Sequence, residues 1–507
     1  SLRSYFDAQS KIEEPENLKQ SRFASGMYSA RWLTGAGLVL LALALSVSFL
    51  SVDRLKNYQP EDRALAVSPS QEPEDKIIEV VDLTVSEEPL SETTETPEAM
   101  EPSPAEEKSD GETQAKTAPV SFPSVNDLRK QANSFRGPLG QGVFYPGTIP
   151  ASWDVTTGTN IKWKVEIPRK GYNSPVIWGD KLWVTGADEA ERWLYCYDCS
   201  NGKLLWQHRA DNIPGSPATP PKTTDDTGLA APSVTVDGKQ VVALFGTGDL
   251  MACDFSGNRL WAKNLGVPAN HYGHSSSLIY WQGNVLVQYD TNKGSKLLSF
   301  DMTSGEKAWE TIRSSHISWA SPILAKVGET MQVITSAEPT VAGYDALTGR
   351  ELWKNDCMMG EVGPSPAFGN GLVFAANEYA TLAAINPESG ETVWEQNEYL
   401  PEVASPVVYD GLLFVATTYG VLACYDAHTG NKYWEQEYPE GFYASPVIAE
   451  GNLFAIDMGG KVHVMKAERE AQPLGSYPMG EKVMATPSFH QGCIYIRGVN
   501  HLFCIGK

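Results

Sequence analysis

The stretch "YDALTGRELW", residues 344–353, decides the fold, because its frame of Asp345, Gly349 and Trp353 returns along the chain. The same spacing occurs at Asp198-Gly202-Trp206, Asp301-Gly305-Trp309, Asn386-Gly390-Trp394 and Asp426-Gly430-Trp434, with a shortened copy at Asp254-Gly257-Trp261. Self-similarity at this period marks a repeat architecture. An Asx side chain leaving a strand bonds backbone amides two residues on, and Gly supplies the positive φ that reverses the chain. The Trp at a fixed offset then covers a neighbouring sheet.

A second signal precedes each turn by some 30 residues: a small residue with Pro or Ser, a β-rich run, and a Gly-containing hairpin turn. It is read at Ser174-Pro175, Ala231-Pro232, Ser276-Ser277, Ser321-Pro322, Ser365-Pro366, Ser405-Pro406, Ser445-Pro446 and Thr486-Pro487. Eight such units of about 43 residues each fit four short strands apiece. The fold class is therefore all-β, an eight-bladed propeller of four-stranded antiparallel blades. The C-terminal copy stops at "HLFCIGK" before any Trp strand, whereas "NIKWKVEI" is a Trp strand without partners. Residues 161–167 are expected to supply the outer strand of the last blade and close the ring. The seventh copy is degenerate, with "AQPLGSY" where a Trp should stand.

Ahead of the propeller the composition changes. Residues 32–52, "WLTGAGLVLLALALSVSFLSV", are charge-free and long enough to cross a hydrocarbon core as one helix. A cleaved signal peptide is the competing reading, against which stand the long leader and the lack of an A-x-A site. Basic residues flank the span almost equally, so charge does not orient it. The expected organisation is a short cytoplasmic segment (1–31), a transmembrane helix (32–52), a disordered acidic linker (53–134) and the propeller (135–507). Between residues 60 and 116 there are 17 Asp/Glu against 4 Lys/Arg, in a chain of net charge −22. Such a segment buries too little apolar surface to offset its ordering entropy. The acidic balance also argues against nucleic acid as a partner.

The seven Cys read as structural. Cys196, Cys424 and Cys504 share one repeat position with Ser299, Gly343 and Ala384, the pattern of a small residue packed between blades. Cys196 and Cys199 lack the further ligands of a zinc site. Cys493 and Cys504 could face each other as a disulfide across the last hairpin.

The turn-and-Trp repeat, preceded by strands such as "ASPVVYDGLLFVAT", resembles the pyrroloquinoline-quinone (PQQ) repeat propellers, and within them the BamB-type proteins found outside the cytoplasm. "FRGPLGQG" (135–142) and "HYGHSSS" (271–277) resemble a subgroup of membrane or secreted propellers. The resemblance covers about residues 134–507 and implies two functions. One is a monomeric, non-catalytic scaffold that binds other envelope proteins, tethered by its single N-terminal helix with the propeller in the periplasm or otherwise outside the cytoplasm, and without cofactor. The other is a PQQ-dependent alcohol or sugar dehydrogenase, with quinone and calcium in the central funnel. The adjacent Cys-Cys pair common in those enzymes is missing here, and the one sizeable insertion, residues 209–230, has the composition of a contact surface rather than a catalytic lid. The scaffold is the favoured reading.

No catalytic residue and no metal ligand is assigned. Any small-molecule site is expected on the funnel rim, just ahead of the Ser-Pro strands, at Asn173, His271, His274, His316, Trp319 and Tyr443; the alternative is that these groups cap strand ends. Arg136 is expected to reach over a blade edge to backbone carbonyls as a structural clamp.

Overall fold

The computed structural model describes residues 122–507. The span at 32–52 and most of the linker lie outside these residues; among those described, no helix is long and apolar enough to cross a membrane. Eight antiparallel sheets follow one another in chain order. Blade 1 is made of Val176–Trp178, Lys181–Ala187, Arg192–Asp198 and Leu204–Arg209, and every later blade repeats this inner-to-outer order. Blade 8 takes Ser488–His490, Cys493–Arg497 and His501–Ile505 from the C-terminus and Ile161–Glu166 from the N-terminal side, antiparallel with Trp163 opposite Cys504. The ring closes as the unpaired sequence ends require.

The repeated turn does what its residue types dictate. Asp345 Oδ1 accepts the N–H groups of Leu347 (3.0 Å) and Thr348 (2.9 Å), and Gly349 sits at φ +73°. The Trp of each frame lies opposite the small residue that precedes it: Trp206 faces Cys196, Trp309 faces Ser299, Trp353 faces Gly343, Trp394 faces Ala384 and Trp434 faces Cys424. From there four of these rings reach the turn of the next blade, whereas the Trp353 indole donates to Gln332 of its own blade at 2.7 Å. A methyl group on Gly430 would stand 2.7 Å from the Trp394 ring, whose Nε1 donates to the Ala427 carbonyl at 3.1 Å. Gly430→Ala is thus expected to cost about 2 kcal/mol through the forced φ and the displaced indole, read as a lowered melting temperature. Gly371, also at positive φ but with nothing within 4 Å, should lose less on the same change.

Around the inner rim the blades are joined by hydroxyls. The Ser233 hydroxyl accepts the Ser174 N–H, Ser277 accepts from Ser233, Ser321 from Ser277, Ser365 from Ser321, Ser405 from Ser365, Ser445 from Ser405, and Thr486 from Ser445, all at 2.9–3.0 Å. In blade 2 the linking residue is Ser233, so the Ala231-Pro232 pair read from sequence stands two residues ahead of the true register. Blade 7 replaces its missing Trp strand with Pro473–Pro478, and Trp153 packs on Tyr477 there with ring centroids 4.3 Å apart. All seven Cys are free thiols, Cys493 and Cys504 included.

The largest departure from the sequence reading is the segment ahead of the first blade. Residues 122–134, assigned above to the linker, are ordered and include the helix Val125–Arg129, capped by Ser124 and Asp127 in a reciprocal box. The chain then passes inside the ring of inner strands and touches every blade. Ala132 bridges Ile177 of blade 1, and the Asn133 carbonyl accepts from Val236 of blade 2. Gly140 lies against Ile279 and Ile323 of blades 3 and 4, and Gln141 Nε2 donates to the Leu324 carbonyl at 2.8 Å. Arg136 donates to the Pro366 carbonyl of blade 5 at 3.0 Å and to the Pro406 carbonyl of blade 6. Val143–Phe144 adds a parallel fifth strand to blade 7, and Phe144 meets Phe489 of blade 8 at 5.3 Å. Arg136 is a clamp between blades as expected, but it works inside the channel, not over an edge.

Candidate functional site on the loop face

Because neighbouring strands are antiparallel, the Asx-Gly turns and the first hairpin turns of all blades share one face of the disc. The second-to-third-strand turns and the inter-blade connections share the other, the loop face, and this is where the six candidate residues fall. The structure separates them. Asn173 is buried, donating to the Thr185 and Ala230 carbonyls (2.9 and 2.7 Å) and accepting from Thr185 N–H and Arg497 Nη1. Its hydrogen-bonding capacity is spent inside the fold. His274 is fully buried, and neither ring nitrogen has a partner. His316 is exposed, with Nδ1 3.4 Å from a Glu338 carboxylate oxygen. Tyr443 is half-buried.

His271, Trp319 and the neighbouring Tyr272 come together. The His271 ring stands 4.3 Å from Tyr272 and 5.1 Å from Trp319, and Tyr272 is 5.2 Å from Trp319. Glu361, from the connection between blades 4 and 5, binds His271 Nε2 at 2.8 Å and accepts from the Tyr272 hydroxyl at 2.9 Å. That bond to a carboxylate, with burial, pushes the Tyr272 phenol up to about 12. Glu402 accepts from the Thr418 hydroxyl at 3.0 Å. Burial first, and then the nearby Glu402, raise the Glu378 carboxyl above its ordinary value. The insertion 209–230 folds back onto this face: Thr224 N–H donates to the Tyr272 carbonyl at 3.0 Å, and the Tyr172 hydroxyl donates to the Asp225 carbonyl at 2.6 Å. It roofs a groove of about 980 Å³ over Arg169, Lys170 and Gly171, which its contact-surface composition does not announce.

Burial pulls His274 down to about 4, the field of Asp290 opposing. Between the unfolded value near 6.5 and the folded value, the unfolded chain binds a proton that the folded chain refuses. Stability is therefore kept above pH 6.5 and lost as pH falls toward 4, by about 3 kcal/mol from this residue alone. Urea titrations of the wild type and His274→Gln at pH 7 and pH 4.5 should show a smaller acid-induced loss in the variant.

Sequence reasoning missed Glu361, Glu378, Glu402, Tyr379 and Tyr419. Tyr379 and Tyr419 hold the same place in successive repeats, "NEYAT" and "TTYGV", at turn tips where the fold has no need of a ring. That coincidence was the available signal. Also missed was a buried pair, Asp290 with Arg313, to which Ser318 and Gln288 add hydrogen bonds at 2.8 and 2.7 Å.

Calcium-assisted quinone chemistry needs converging carboxylates and amides, a free base and an open ring to stack on. Here the Trp319 indole lies edge-on to His271 and donates to the Gly273 carbonyl at 2.9 Å, while Glu361 is held by Tyr272 and His271. Among the described residues, no three His, Cys, Asp or Glu side chains are grouped to hold a metal ion. In this cluster the ring and the carboxylate are therefore both already engaged by neighbouring side chains and backbone.

Repeat, ring closure and blade order define a PQQ-like β-propeller. The chain belongs to the family described as outer membrane protein assembly factor BamB, which matches residues 147–321, 337–410 and 381–472, more than half of the sequence. Among solved structures it is similar to BamB from Moraxella catarrhalis, at 16% identity and a TM-score of 0.52 over 68% of this chain and 98% of that one. It is also similar to a europium-containing methanol dehydrogenase (11%, TM-score 0.58, 74% and 92%) and to a quinohemoprotein alcohol dehydrogenase from Comamonas testosteroni (11%, TM-score 0.59, 75% and 81%). At these identities the likeness establishes the fold alone. No curated protein matches the chain.

Proposed function

We propose that this protein is a non-catalytic propeller that serves as a protein-interaction scaffold in the cell envelope, held at a membrane by residues 32–52 and spaced from it by the acidic stretch that follows. The observation that carries this reading is the channel segment. Residues 132–144 touch the inner strands of all eight blades, so the inner surface of the ring is engaged by the chain itself, which supports a role other than housing a cofactor there. What remains for contact is the outer loop surface. Membership of a family described as an outer membrane assembly factor supports the envelope setting.

Two experiments test the proposal. The full chain, supplied with PQQ and calcium or a lanthanide, should reduce no dye in the presence of alcohols or sugars; turnover would replace the scaffold by the dehydrogenase. Protease added to spheroplasts should clip the acidic stretch between residues 60 and 116. A stretch that survives until lysis would place the domain in the cytoplasm.

A further inference from the structure

We infer that the loop face over blades 3 to 6 is a docking surface for a lysine- and arginine-rich segment of a partner protein. The inference rests on the scaffold reading and names the chemistry of what the scaffold holds. Four large side chains stand exposed on this face: Tyr272 (36%), Met359 (57%), Tyr379 (62%) and Tyr419 (56%). They come from the connections into blades 3 and 5 and from the second-to-third-strand turns of blades 5 and 6, and the first three are drawn together by the Tyr272 bond to Glu361, two residues after Met359, and by Tyr379 lying beside Gly360.

The charge around them is predominantly negative: in the loop-face turns and connections of blades 3 to 6 the one Lys or Arg is Lys293, in the second-to-third-strand turn of blade 3. Five successive connections, residues 265–278, 314–322, 356–366, 397–406 and 438–446, contain the carboxylates Asp356, Glu361, Glu398, Glu402 and Glu440 and no Lys or Arg. Glu378 adds a sixth from the turn that carries Tyr379. The carboxylates act on shared ground: Tyr443 is raised by burial and then by both Asp226 of the insertion and Glu402, and Tyr272 feels Glu361, Glu402 and Asp226. Acids from three separate connections therefore bear on the same phenols. Aromatic faces set among carboxylates attract ammonium and guanidinium groups through both charge and ring quadrupole. Phosphate-bearing partners and anionic lipid surfaces are repelled. The described chain starts at Phe122 against Gly283, on the opposite side of the disc, and the insertion 209–230 borders the face at Tyr272.

The test is fluorescence anisotropy of a short Lys/Arg-rich peptide on the full chain, with a Glu-rich peptide as counterpart. The acidic stretch ahead of the propeller also attracts cations, so the decisive comparison is between two variants of equal net charge. E361Q/E378Q/E402Q removes loop-face carboxylates. E329Q/E388Q/D410N removes exposed ones from turns of blades 4, 5 and 6 on the other face. The first should weaken binding about tenfold and the second less than about twofold. Y379S/Y419S, which changes no charge, should weaken it roughly fivefold. Equal losses in the two charge variants, or an unaffected Y379S/Y419S, would overturn the inference. Cross-linking in cells separates its failure from that of the scaffold: a partner captured equally by wild type and E361Q/E378Q/E402Q removes the basic docking surface and leaves the scaffold standing.

Discussion

Arg136→Ala is expected to lower the unfolding free energy by about 4 kcal/mol and the melting temperature by several degrees. The guanidinium is 1% exposed, and no carboxylate lies among its hydrogen-bond partners; burial alone pulls it down to about 9. Its charge is met by two carbonyls of different blades, Pro366 and Pro406. Truncation leaves both without a donor, each costing about 1–3 kcal/mol, and opens a cavity beside Gly142 and the blade 5 and 6 strands. Relief of the desolvated charge offsets part of this. Arg136→Lys should recover less than half, because one ammonium lacks the fork that spans two blades. Thermal unfolding of the three proteins checks the order, and an unchanged Arg136→Ala melting temperature would remove the clamp.

The second large effect is expected at the seam. Trp163 is 7% exposed, donates Nε1–H to the Cys199 carbonyl at 2.8 Å, and covers Gly202 of blade 1. Its strand is joined to blade 8 by hydrogen bonds and packing, with no chain connection across the gap. Trp163→Ala should therefore cost about 5 kcal/mol, at the upper end for a buried Trp, since the ring can open there. Trp206→Ala, half-buried and flanked by covalently continuous blades, should cost less. Hydrogen exchange locates the difference: residues 161–166 and 501–505 should lose protection in Trp163→Ala and keep it in Trp206→Ala.

Much of this architecture is legible from local chemistry. Asx, Gly and Trp each have one physical task in the repeat, and the tasks compel the same turn each time. The closing strand could be read because "NIKWKVEI" and "HLFCIGK" are each incomplete alone. Residues 131–144 could not be read in the same way, because a segment that satisfies eight different inner strands has no period; only the glycines of "FRGPLGQG", at φ between +71° and +77°, betray its close approach to the blades. For the six candidate residues, their place on the loop face was legible and their burial was not. His271 and His274 are three positions apart in one connection, yet one is exposed beside Glu361 and the other is fully buried. Nothing local distinguishes them, since the difference lies in tertiary packing: the His274 ring stands 5.0 Å from Tyr289 of the blade 3 strand.

The claim that the loop face works by holding another protein is tested most directly by photocross-linking in living cells. A photoreactive amino acid would replace Tyr379 on that face or, as control, Glu388 on the opposite one. The account predicts a discrete adduct with one protein from position 379 and none from 388. Adducts from 388 alone, or from both positions alike, would contradict it.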